Sequence, residues 1–85
     1  MSKADLMFKN LGYEKYRQED SLAVYNNGKT TIEIGCADIG YPVVFIYRLN
    51  KTQGIIYAQG IRMDVLKAIN EKVKEMGFIE QDSWI

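Results

Sequence analysis

Apolar residues recur at helical spacing at both ends of the chain and alternate at strand spacing between them. Ala4, Met7, Phe8 and Leu11 fall at i, i+3, i+4 and i+7 and make one apolar stripe. Ser2, with Asp5 three residues on, resembles a capping box with Asp in the Glu position. Gly12 and Tyr13 follow: the glycine takes up the left-handed cap and the aromatic ring folds over the last turn. The pattern predicts a helix of about ten residues, too short to persist without docking. The ending recurs near the other terminus. Leu66, Ile69, Val73 and Met76, with Val65 and Ala68 beside them, form a second stripe that stops at Gly77 and Phe78. Asp64 lies at the positive end of this helix, and Lys72 and Lys74 lie toward its negative end. The two Gly–aromatic phrases read as independent helix stops, with Tyr13 and Phe78 as lids on one core.

Between the helices the period changes to two. Glu14 to Asp20 is polar and reads as a connection. Leu22 and Val24, then Ile32, Ile34 and Cys36, alternate on the two arms of a hairpin around Asn26-Asn27-Gly28. A three-residue loop with Gly28 in the left-handed region places Leu22 opposite Ile32 and gathers the apolar residues on one face. Gly35 to Pro42 carries the glycines and proline of a loop, Val43 to Leu49 reads as a strand, and Ile55 to Gln59 as another after a turn at residues 50–54. These last two strands carry apolar residues on both faces, so they are central or one face meets a partner. The expectation is a single α+β domain spanning residues 1–85. An N-terminal helix, a four-stranded antiparallel β-meander and a C-terminal helix follow one another, with both helices on one sheet face.

Composition narrows the chemistry. A chain of 85 residues buries only about 60–65% of its unfolded surface, so its core is modest. Eleven basic and eleven acidic residues cancel, which argues against a dedicated duplex-DNA binder. One cysteine and no histidine exclude an internal disulfide and the usual zinc sets. No apolar run is long enough to cross a bilayer, and the N-terminus lacks a signal-peptide pattern. A reducing, cytoplasmic setting without cofactor or metal is expected.

Two segments resemble a known group. Ala4-Asp5-Leu6-Met7-Phe8-Lys9-Asn10-Leu11-Gly12-Tyr13-Glu14-Lys15-Tyr16 and Leu66-Lys67-Ala68-Ile69-Asn70-Glu71-Lys72-Val73-Lys74-Glu75-Met76-Gly77-Phe78 look like small uncharacterised proteins of phages and prophages of Gram-positive bacteria (Firmicutes). The resemblance implies a phage or prophage setting. It implies no activity and transfers no functional residue.

The remaining motifs are weighed against their ordinary readings. Gly28-Lys29-Thr30 ends like a phosphate-binding loop, but the required earlier glycine is Ala23 and the segment is a hairpin turn. Cys36 has no histidine to serve as a base and reads as a small apolar residue at a strand end. Asp38, in a glycine-flanked loop, is the best single carboxylate for acid–base work, yet reads more simply as a turn cap. Six tyrosines are the one notable excess. Tyr25, Tyr47 and Tyr57 fall on strands, with Arg48 beside Tyr47, and such an aromatic face suits a protein interface. The sequence therefore suggests a small non-enzymatic binding protein, of phage or prophage origin, acting through its sheet face. A host or phage protein, or a second copy, is the partner. Weak binding of single-stranded nucleic acid by the same tyrosines and Arg48 is the alternative, and the acid–base balance makes it the lesser one. Trp84 is either pinned across the core edge or loose.

Overall fold

The computed structural model describes residues 1–36, 41–50, 54–55 and 60–78, and for 49, 50, 54 and 55 the backbone alone. The elements run α1 (Lys3–Asn10), β1 (Glu14–Glu19), β2 (Leu22–Asn26), β3 (Thr30–Cys36), β4 (Pro42–Asn50), β5 (Gly54–Ile55) and α2 (Met63–Glu75). The strands form an antiparallel meander in the order β1-β2-β3-β4-β5. The fold class is the one the sequence implies.

Both helices stop as the Gly–aromatic phrases require. Gly12 and Gly77 have φ of +91° and +76°. The Tyr13 amide donates to the Phe8 carbonyl (2.9 Å) and the Gly12 amide to Lys9 (3.0 Å). Phe78 and Gly77 repeat this with Val73 (3.2 Å) and Lys74 (3.1 Å). These are paired Schellman bonds, in which the left-handed glycine turns two otherwise orphaned carbonyls into acceptors. Tyr13 is buried against the core, its ring edge-on to Phe8 at 6.0 Å, and Phe78 packs on the same cluster.

Two readings of the middle are corrected. Glu14 to Asp20 is not a connection, because Glu14–Glu19 is the edge strand β1. It lacks apolar alternation because all six residues are exposed, and backbone bonds to β2 hold it. A bulge at Tyr16, between Lys15 and Arg17, interrupts the pairing. The β2–β3 register is also not the expected one: Leu22 pairs with Gly35, and Tyr25, not Leu22, lies opposite Ile32. Gly28 is left-handed as expected (φ +96°), but the loop is shifted along the chain, to residues 27–29. The Asn26 Oδ1 accepts from the Gly28 amide (2.6 Å), and the Asn27 Oδ1 accepts from those of Lys29 (2.9 Å) and Thr30 (2.7 Å). These side-chain bonds satisfy the shifted turn, and the changed register reverses which residues of β2 face inward. Of the expected last strand, only Ile55 lies among the described residues, in β5 (Gly54–Ile55), which also takes in Gly54 of the expected turn; residues 56–59 lie outside the described residues.

The inner face of the sheet carries Ala23 and Tyr25 from β2, Ile32 and Ile34 from β3, and Ile46 from β4. Phe8 of α1 stacks on Tyr25 with ring centroids 3.8 Å apart. Val65, Ala68, Ile69 and Val73 of α2 complete the cluster. Complete burial of a residue of this size is worth roughly 1.5–3 kcal/mol, so Phe8, Tyr25, Ile32 and Ile34 carry much of the stability. The sheet is wider than the helix pair. Val44 on the inner side of β4 therefore stays partly open, above a recess of about 330 Å³ bounded by Ile46, Ile61, Leu66 and Ile69.

Candidate functional sites

Among the described residues, two places depart from the ordinary arrangement of apolar inside and charged outside. The first is a knot of charge inside the fold. Asp5 lies in the first turn of α1, where the Ser2 Oγ accepts from its amide (3.0 Å) to cap the helix. Its carboxylate accepts three side-chain bonds. The Tyr25 hydroxyl donates to Oδ1 (2.5 Å), the Lys72 ammonium to Oδ1 (3.1 Å) and the Lys15 ammonium to Oδ2 (2.7 Å). Lys72 also lies 3.8 Å from Glu75, whose carboxylate accepts from the Ala4 amide (2.7 Å). The knot thus ties α1, β1, β2 and α2 together.

Lys72 is only 4% exposed. It belongs to the stripe of α2, seven residues after Val65 and four after Ala68, and that spacing was the signal that it points inward. Burial pulls the Asp5 carboxyl upward, but the bonds from Lys15, Tyr25 and Lys72 and the Lys72 charge outweigh it. They hold the group far below the usual carboxylate range. Burial, the bond to Asp5 and the charges of Asp5 and Glu75 push the Tyr25 hydroxyl well above the usual phenol range. Among the described residues no buried side-chain polar atom lacks a partner. Each carboxylate oxygen of Asp5 and the Lys72 ammonium has a partner, and these bonds hold the helices on the sheet.

The second place is the outer face of the sheet, which neither helix covers. By register it is three cross-strand rows. Glu19, Leu22, Gly35 and Val43 form one, Arg17, Val24, Glu33 and Phe45 the next, and Glu14, Asn26, Thr31 and Tyr47 the third. Phe45 is 60% exposed, and Leu22, Val24 and Val43 around it are half-buried. Glu33 sits between Val24 and Phe45. Its carboxylate accepts from the Tyr47 hydroxyl, which raises the Tyr47 pKa, with burial adding to the shift. On β1, Arg17 pairs with Glu19. The Asn26 amide donates to the Thr31 hydroxyl (2.8 Å).

The expected site residues therefore do not form one surface. Tyr25 is 1% exposed and belongs to the inner face, because the observed register places it there, opposite Ile32 and against Phe8 and Asp5. Arg48 shares the inner side with Ile46 by register. Tyr47 alone lies on the outer face, and Tyr57 lies outside the described residues, as do Asp38 and Trp84. Cys36 is half-buried at the end of β3, opposite Pro42. Phe45 and Glu33 were not singled out by the sequence, although the two-sided apolar pattern of β4 was the signal for the former. Among the described residues no helix is long and apolar enough to cross a membrane, and no three potential metal ligands come together. Comparison with known proteins returns no matching family model, no matching curated protein and no matching solved structure.

Proposed function

We propose that this protein is a non-enzymatic binding module whose outer sheet face docks on another protein. The observation that carries this reading is Phe45. It is a large ring, 60% exposed, among half-buried aliphatic residues on a face that no described element covers. Isolated exposed apolar residues are ordinary, but a contiguous apolar patch with a polar rim is typical of an interaction surface. The rim here is Glu14, Arg17, Glu19 and Asn26. An aromatic residue at the centre of such a patch is the kind of anchor that carries most of the energy of an interface. The partner is a host or phage protein, in keeping with what the two terminal segments resemble.

The nucleic-acid alternative loses its platform, since Tyr25 and Tyr47 lie on opposite sides of the sheet. The test is capture of partners from lysate by three forms of the protein: unaltered, Phe45→Asp, and Lys67→Glu as a control on the exposed side of α2. A complex kept by the control and lost with Phe45→Asp supports the reading. A complex retained by Phe45→Asp, or no complex with the unaltered protein, overturns it.

A further inference from the structure

The outer face has a charge that the whole chain does not. Overall the acids and bases cancel at eleven each. On the outer face, among the described residues, Glu14, Glu19 and Glu33 stand against Arg17 alone, three carboxylates to one guanidinium. Arg17 is already paired with Glu19 at the β1 edge. Glu33 sits one strand further in, flanked by Val24 and Phe45. Among the described residues its hydrogen bond comes from the neutral Tyr47 hydroxyl. By contrast the carboxylate of Asp5 is met by two ammonium groups. Among the described residues, cations meet the half-buried Asp5 and none meets the half-buried Glu33, which is left to be neutralised from outside.

We infer that the partner is a protein segment in which an Arg or Lys is flanked by large apolar residues, its cation meeting Glu33 and its apolar side chains covering Phe45, Val24 and Val43. This deepens the reading of the outer face as a docking surface and rests on it. Three physical points select this occupant. Covering Phe45 also desolvates Glu33, which is costly unless a cation arrives with the apolar surface. Tyr47 fixes the carboxylate and leaves lone pairs free for the fork of a guanidinium. The net negative face repels nucleic-acid phosphates and attracts a basic segment, which also speeds encounter. A second copy of this face fits poorly, because a face-to-face pair would bring one Glu33-bearing apolar surface against another and double the uncompensated acid.

The experiment is selection of displayed random peptides on the protein, followed by amide chemical-shift mapping and affinity measurement of the winners. Peptides combining Arg or Lys with Phe, Leu or Trp are expected, with shifts centred on Val24, Glu33 and Phe45. Glu33→Gln keeps the acceptor for Tyr47 and is expected to weaken the winners about tenfold and to flatten the salt dependence of binding. Selection of acidic or uncharged peptides, or of none, overturns the inference. So does self-association through this face in sedimentation. If Phe45→Asp abolishes binding and Glu33→Gln leaves it unchanged, the docking surface stands and the basic partner falls. If neither substitution changes binding, both fall.

Discussion

The Asp5 knot and the Phe45 face invert each other. In the knot, charged groups lie inside the fold, and every carboxylate oxygen of Asp5 has a cationic or phenolic donor. On the outer face an aromatic ring lies outside, and a carboxylate beside it has only a neutral donor. Composition alone does not separate the two, since each combines a carboxylate, a tyrosine and neighbouring apolar groups. Satisfaction does. A buried polar network with all partners present is a structural joint, because removing any member leaves another uncompensated. A half-satisfied one on an uncovered face has capacity for a ligand.

The substitution that tests this contrast most severely is Asp5→Ala. It leaves the buried Lys72 ammonium without its main counter-charge and is expected to cost about 3–5 kcal/mol in denaturant unfolding. A loss well under that would reduce the knot to a surface ion pair. Acid gives the same test without mutation. The Asp5 pKa is depressed in the folded state, so its contribution is fully present above the unfolded carboxylate value of about 3.9 and is lost as pH falls below it. The unaltered protein should therefore lose stability steeply below that pH. Asp5→Asn should start lower and fall less over the same range, read as unfolding free energy against pH.

Tyr25→Phe keeps the stack on Phe8 and removes one bond to a charged acceptor, an expected loss of about 1.5–3 kcal/mol. Gly77→Ala touches neither region and places a side chain at φ +76°. About 1 kcal/mol is expected in thermal unfolding. The smallest effect on stability belongs to Phe45→Asp, within about 0.5 kcal/mol, although under the proposed reading it is expected to remove binding altogether. A large stability loss there would mean that the outer face belongs to the core and would end its reading as a docking surface.

Both helices and their stops were legible because each is encoded within a few consecutive residues: Ser2 as cap, the stripes, Gly12-Tyr13 and Gly77-Phe78. β1 was not, because an exposed edge strand needs no apolar alternation and Glu14–Glu19 shows none. The hairpin register was missed for a related reason. Leu22 and Val24 are the more apolar pair, yet Ala23 and Tyr25 face inward, since Tyr25 gains both a ring stack and a carboxylate there. Long-range partners such as Asp5 and Lys72 decide that choice, and no local window contains them. The same ambiguity hid the site. With β2 turned over, Tyr25 left the candidate surface, and Phe45, one residue among several apolar ones on β4, became its centre.

The bond from the Ala4 amide to the Glu75 carboxylate joins residues 71 positions apart, and Asp5 to Lys72 spans 67. During synthesis the first helix therefore emerges long before the element that completes its surroundings. The hairpins can pair as they appear, but the Lys72 counter-charge and the α2 wall of the core are missing until nearly the whole described chain has left the ribosome. Closure then couples the first turn to the last in one late step. A nascent chain halted before α2 exposes Phe8, Ile32 and Ile34 together, and a truncated product should be cleared by proteolysis instead of accumulating as a smaller folded form.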